Sequence, residues 1–264
     1  MLLAIDAGNT NVVFAVYDGD VQRGVWRAAT DSRRTADEYA VWLLQLMSKA
    51  GLDAAQLDGC IVASVVPLAT FNLLKLVREH LQLEPLVIGE PNVQLGLRVL
   101  LDRPEEVGAD RIVNAVAASE RYGGPLIVID FGTATTFDVV DANGDYRGGV
   151  IAPGIILSVE ALHMAAAKLP KVDVVRPKTD NVIATSTVTA MQSGIYWGYV
   201  GLIEGLVARI RAELGGGARV IATGGLATLF ADATQAIDSI DEDLTLRGLV
   251  LLYQRNAQSA AVAA

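Results

Sequence analysis

The chain has 264 residues, 52% of them hydrophobic and 19% charged, a composition that excludes a disordered chain and leaves one large domain or two related halves open. Net charge is −9 and no run of Lys or Arg exceeds Arg33-Arg34, so the basic footprint of a nucleic-acid binder is missing. The same acidity opposes a polyanionic substrate unless backbone amides or metal ions offset it locally.

Residues 2–5 are an apolar run ending in Asp6-Ala7-Gly8-Asn9-Thr10, followed by a strand-like stretch over 12–17 and the turn Asp18-Gly19-Asp20. This beginning lacks a basic start and meets an aspartate too early for a signal peptide. Thr35-x-x-Glu38 has the form of a capping box, opening a helix whose Tyr39, Trp42, Leu43, Leu46 and Met47 recur at helical spacing. Residues 60–66 read as a buried strand, 69–80 as a helix, 85–88 as a strand and 105–122 as a helix closed by Gly123-Gly124. Cys60, the one cysteine, stands among Ile61, Val62 and Ala63 and reads as an inert buried thiol. The two histidines, His80 and His163, have neither zinc-site spacing nor a Gly-x-Ser-x-Gly companion and read as ordinary helix residues.

Residues 126–129 then repeat the opening. They end in Asp130-Phe131-Gly132-Thr133-Ala134-Thr135, followed by a strand over 137–140 and the turn Asn143-Gly144-Asp145. A period of about half the chain suits a duplicated domain rather than a solenoid. Gly148 to Gly154 reads as a turn against something that approaches the backbone closely. The richest apolar stretch, 150–169, is interrupted by Pro153, Glu160, His163 and Lys168 and fails as a membrane span. A soluble cytoplasmic protein is the expectation.

A long helix over 187–214 carries Gly194, Gly198, Gly201 and Gly205 along one seam. Glycine costs roughly 1 kcal/mol per helical site against alanine, so the seam calls for close packing on another helix, inside the domain or across a dimer interface. Residues 219–223 form a strand running into Gly224-Gly225, and 244–254 a final amphipathic helix.

An Asp-x-Gly-x-Thr turn between two strands offers amides and hydroxyls to an anion and a hard carboxylate oxygen to Mg²⁺. This turn and its Asp-x-Gly-Thr counterpart from Asp130, facing one another, would make a clamp for nucleotide phosphates. Neither a Gly-x-x-x-x-Gly-Lys-Ser/Thr loop nor a dinucleotide fingerprint is present. A carboxylate able to take an alcohol proton completes phosphoryl-transfer chemistry. Asp110 is the best candidate for it, flanked by the small Gly108 and Ala109 and followed by Arg111, a suitable fork for a substrate carboxylate. On spacing alone, a solvated helix-face ion pair explains Asp110 and Arg111 as well.

The paired turns resemble the phosphate loops of the acetate and sugar kinase, Hsp70 and actin superfamily. Six blocks in order resemble one member family, the type III pantothenate kinases: Asp6 to Asn11, Gly108-Ala109-Asp110-Arg111, Asp130 to Thr136, Gly149 to Gly154, Thr187 to Gly194, and Ala222-Thr223-Gly224-Gly225-Leu226. The resemblance implies an α/β, duplicated ribonuclease H-like (actin-like ATPase) fold, two mixed β-sheets with flanking helices around a central cleft, with halves at 1–115 and 116–264. It implies ATP-dependent phosphorylation of pantothenate to 4'-phosphopantothenate, the first step of coenzyme A biosynthesis, by a homodimer.

Carried over, Asp110 is the proton acceptor, and Gly108, Ala109, Asp110, Arg111 and Thr187 bind pantothenate. Asp6, Ala7, Gly8, Asn9, Thr10, Asn11, Val12 and Val13 cradle ATP, with Asp6 near Mg²⁺, and Thr133 meets ATP from the second loop. Asp130 holds a monovalent cation, K⁺ or NH₄⁺, and Gly224-Gly225 lie near the adenosine. The chain departs from the family at Ala184-Thr185-Ser186-Thr187, where Thr185 rivals Thr187, and at Asp102-Arg103-Pro104. Two other readings stand beside this one: a non-catalytic, kinase-like accessory protein of transcription, and a kinase of another small hydroxy acid. Survival of the acidic and tetrad residues favours the enzyme.

Overall fold

The computed structural model describes residues 1–166 and 168–263, with side chains through 259. Its backbone forms two compact units: Met1–Arg98, Asp102–Ala117 and the stretch from Asp243 make one, Val99–Leu101 and Ala118–Glu242 the other.

The first unit holds strands β1 (Leu2–Ala7), β2 (Asn11–Asp18), β3 (Val21–Ala29), β4 (Gly59–Ser64) and β5 (Leu86–Val87) in the order β3-β2-β1-β4-β5. The second holds β6 (Leu126–Phe131), β7 (Ala134–Val140), β8 (Tyr146–Pro153), β9 (Arg219–Gly224) and β10 (Ser239–Ile240) in the order β10-β9-β6-β7-β8. The orders match under the pairing of β1 with β6 through β5 with β10. So do the directions, since β1/β2 and β6/β7 are antiparallel while β1/β4 and β6/β9 are parallel. Each sheet even has a register shift at the corresponding place, between Val16 and Tyr17 and between Val139 and Val140. The duplication in the sequence is a duplication of structure, each half a mixed sheet flanked by helices.

The sheet centres are apolar on both faces, as expected where helices cover a parallel pair: Leu2–Ile5, Cys60–Ala63, Leu126–Ile129 and Val220–Ala222 are buried. In the first unit α1 (Ala36–Lys49) lays Tyr39, Ala40, Leu43 and Met47 into a core with Phe14 and Val62. Its capping box forms as the sequence predicts, the Thr35 side chain accepting from the Glu38 amide and the Glu38 carboxylate from that of Thr35. Helix α2 runs Pro67–Lys75 and widens into a π turn over Leu76–His80, where His80 meets Asp37 at 2.8 Å.

Three stretches differ from the sequence expectation. The helix foreseen over 105–122 is a 3₁₀ turn, Pro104–Glu106, followed by α3 (Ala109–Tyr122), so Asp110 stands in the first turn. Gly148 to Pro153 is strand rather than turn. Burial alternates along it, with Arg147, Gly149, Ile151 and Pro153 exposed, but the residue types do not follow, since Ile151 and Pro153 lie on the exposed face and Gly148 on the inner one. The last helix, α7 (Leu244–Ala263), packs on β1 and β4 and belongs to the first unit although it follows the second in the chain.

In the second unit α4 (Ile155–Ala165) precedes α5 (Thr187–Glu213), and a short α6 (Ala227–Ala231) follows β9. Helix α5 buries Tyr196, Tyr199, Val200, Ile203 and Val207 on Phe131, Phe137 and Phe230. Its glycine seam points elsewhere. A β-carbon at Gly194, Gly198 or Gly201 meets nothing among the described residues within 4 Å, so packing inside the domain does not explain these glycines. No helix among the described residues is long and apolar enough to cross a membrane.

Candidate active site

Both phosphate-loop candidates hang from the central strand of a sheet. In β1 and β6 the first four residues are buried, the fifth is the half-buried aspartate and the sixth is buried again. Asp6 lies opposite Val13, and Asp130 opposite Thr136. The alternation forced by the strand leaves each carboxylate at the carboxyl end of its sheet, where α/β proteins bind ligands.

The loops are braced alike. Gly8 N–H donates to Asn11 O at 3.0 Å and Gly132 N–H to Ala134 O at 3.1 Å. The residue after the third strand then ties the loop threonine: Thr30 N–H donates to Thr10 O at 2.9 Å, and Gly154 N–H to Thr133 O at 3.1 Å. Thr30 adds its hydroxyl, donating to Gly8 O at 2.7 Å. Gly154 has no side chain to add, and a β-carbon there would stand 2.2 Å from Thr133 O and 2.6 Å from Gly132 O. The close approach read from Gly148 to Gly154 is therefore real, although the partner is the second loop itself. Asn9, Thr10, Asn11, Gly132 and Thr133 are exposed, as atoms that meet a ligand must be.

Asp110 joins the first loop within one unit. Val65, following β4, donates its N–H to Ala7 O at 3.1 Å, and its Cγ1 lies 3.3 Å from where a Gly108 β-carbon would be. The tetrad from Gly108 to Arg111 thus stands beside the first loop across one valine. Asp110 Oδ1 accepts from the Arg111 N–H at 2.8 Å. Burial pushes the Asp110 carboxyl above its ordinary range, opposed by that N–H and by the Arg111 charge. A desolvated carboxylate is a more basic group than a solvated one, which suits a proton acceptor. The solvated ion-pair reading does not describe it.

In the second unit, Asp130 pairs in register with Thr223 and stands beside Gly224. Gly224 has φ +90°, and a β-carbon there would lie 2.5 Å from Asp130 Oδ1 and 2.7 Å from Phe131 O and N. Only glycine combines that conformation with that space. Asp130 Oδ1 and the backbone N and O of Phe131 thus crowd that point, and the half-buried Asp130 carboxylate offers a hard oxygen of the kind a cation takes. No three His, Cys, Asp or Glu side chains among the described residues group as a metal site. A cation at Asp130 or Asp6 would complete its shell with backbone carbonyls, water and phosphate.

Thr187 opens α5 and is exposed, as is Thr185; Ser186 between them spends its side chain capping the helix. Burial pushes the Cys60 thiol up, as the inert reading requires. The sequence gives no sign of Thr30, Val65 or Tyr199, because what they do for the loops is visible only once the strands are paired.

The sequence pattern of the type III pantothenate kinases matches residues 2–209. The chain belongs to this family. Type III pantothenate kinases of Rhodospirillum rubrum and Paramagnetospirillum magneticum are each 65% identical to it, over 97% of this chain and 99% and 98% of theirs. Among solved structures, a protein described as a Baf family transcriptional activator from Campylobacter jejuni matches with TM-score 0.62 and 18% identity, over 97% of this chain and 99% of that one. One described as a 2-dehydro-3-deoxygalactonokinase from Sinorhizobium meliloti matches with TM-score 0.57 and 14% identity, over 97% and 96%. These distant likenesses show the fold alone, two mixed sheets with flanking helices in a duplicated ribonuclease H-like arrangement.

Proposed function

We infer that this type III pantothenate kinase transfers the γ-phosphoryl group of ATP to the primary hydroxyl of pantothenate, giving 4'-phosphopantothenate and ADP at the entry to coenzyme A biosynthesis. The observation that carries the reading is the desolvated Asp110 carboxylate standing one valine from the first phosphate loop.

Asp110 takes the hydroxyl proton as that oxygen forms its bond to the γ-phosphorus. The bond to the β,γ-bridging oxygen breaks, ADP leaves, and Asp110 passes the proton to water. Gly108 and Ala109 leave room for the alcohol, and Arg111 binds the pantothenate carboxylate, with Thr187 from the start of α5 as a further contact. The loop from Asp6 to Val13 and Thr133 hold the phosphates with backbone amides and hydroxyls in place of a lysine. Mg²⁺ at Asp6 and K⁺ or NH₄⁺ at Asp130 would supply the positive charge that a chain of net charge −9 lacks.

A second copy of the chain is the proposed partner. The exposed seam of Gly194, Gly198 and Gly201 supports it, with the exposed apolar residues Ile156, Leu157, Met164 and Ile183 of the same unit. Asp110→Asn tests the reading: the variant folds, binds ATP and turns over pantothenate at least about a thousandfold more slowly. Near-normal turnover would remove Asp110 from its role.

A further inference from the structure

We propose that Tyr199 is a positioning residue for the second phosphate loop: from α5 its hydroxyl joins β7 to the end of β8 and thereby sets where Thr133 stands. The proposal rests on the kinase reading, in which Thr133 meets ATP.

The Tyr199 hydroxyl lies 2.5 Å from Thr135 Oγ1 and donates to Pro153 O at 2.8 Å. A carbonyl only accepts and a tyrosine has one proton to give, so the Thr135 hydroxyl is the donor to Tyr199. The chain of bonds runs Thr135 to Tyr199 to Pro153. Thr135 is two residues beyond Thr133 on β7. Pro153 immediately precedes Gly154, whose N–H ties Thr133 O. One hydroxyl therefore ties the strand that leaves the loop, β7, to the end of β8, from which Gly154 anchors the loop.

The duplication explains why it is needed. In the first unit Thr30, just after the third strand, anchors its loop twice, through its N–H to Thr10 O and through its hydroxyl to Gly8 O. The corresponding residue in the second unit is Gly154, which keeps the N–H bond but has no hydroxyl, and the close carbonyls of Gly132 and Thr133 leave no room for one. Tyr199 supplies the missing hydroxyl from a helix instead of from the strand end. Thr135 and Tyr199 are buried, so water does not replace the bond when it is lost. The tyrosine ring is held separately, 5.5 Å from that of Phe230. Tyr199→Phe thus removes the hydroxyl and keeps the packing.

The test uses the full-length enzyme with Tyr199→Phe, Thr135→Val and the pair together. Equilibrium binding of ATP by calorimetry, without pantothenate, is expected to weaken roughly tenfold in each single variant and no further in the double, because both remove one connection. KM for ATP rises in step, whereas KM for pantothenate stays at the wild-type value. A variant that melts earlier but binds ATP as the wild type does would overturn the proposal, since that is what a structural bond alone would give. A wild-type enzyme that binds ATP yet releases no ADP with pantothenate would instead overturn the kinase reading, and the binding comparison would still decide the role of Tyr199.

Discussion

Gly108 leaves the space in which the Asp110 carboxylate sits: a β-carbon at 108 would lie 2.6 Å from Asp110 Oδ1 and 3.3 Å from Val65 Cγ1. A side chain at 108 must displace the proposed base, the part that can give, rather than the backbone. Gly108→Ala is therefore expected to keep the wild-type melting temperature within a few degrees and to lower kcat roughly ten- to hundredfold, since misplacement by about 1 Å has that cost. Steady-state kinetics beside a thermal melt separate the two effects. Full activity in the variant would mean that Asp110 is not held where it acts.

Burial raises the Asp110 pKa, and this has consequences of opposite sign for rate and stability. The base works deprotonated, so kcat/KM falls as pH drops through the raised value, and the acid limb lies above the ordinary aspartate range. The folded state binds this proton more tightly than the unfolded chain. Charged Asp110 therefore opposes folding above the folded pKa, and that opposition fades as pH falls to the unfolded pKa. Asp110→Asn is expected to melt no earlier than wild type at about pH 8, with any gain shrinking toward about pH 4. A variant melting well below wild type at neutral pH would show that the carboxylate serves the fold.

Gly224 combines φ +90° with close approach to Asp130 Oδ1 and to the backbone of Phe131. Gly224→Ala adds left-handed strain and overpacking, together about 2–4 kcal/mol. A lowered melting temperature and lost activation by K⁺ are expected. Asp130→Asn should lose the K⁺ response with a smaller change in melting. K⁺ activation that survives in Asp130→Asn would put the cation elsewhere.

The glycine seam of α5 bears on assembly. Gly198→Leu fills open space in the single chain, where nothing among the described residues stands within 4 Å, and blocks approach of a second helix. Sedimentation is expected to give a dimer for wild type and a monomer for the variant, whose helix content is unchanged. A variant that remains dimeric would remove the seam from the interface.

Much of the fold is legible in the sequence because the half-chain repeat lies in its most constrained parts. Asp6 and Asp130 end apolar runs, and Gly19 and Gly144, with φ +57° and +84°, mark the hairpin turns. The tetrad and both loops are equally legible as contiguous blocks. β8 and the return of α7 to the first unit are not, because on this glycine-rich edge strand the residue types do not follow the alternating burial, and chain order does not say which sheet a last helix covers. Tyr199 is hidden for a related reason: at helical spacing it is one more core aromatic, and only the paired strands bring its hydroxyl to Thr135 and Pro153.

Pantothenate-dependent ADP release is the reaction by which the proposed activity stands or falls. A coupled assay with ATP, Mg²⁺ and pantothenate, run in K⁺ and in Na⁺, is expected to show pantothenate-dependent ADP release in K⁺, far less in Na⁺, and none above background in Asp110→Asn. No pantothenate-dependent ADP release from the wild-type enzyme in either salt would contradict it.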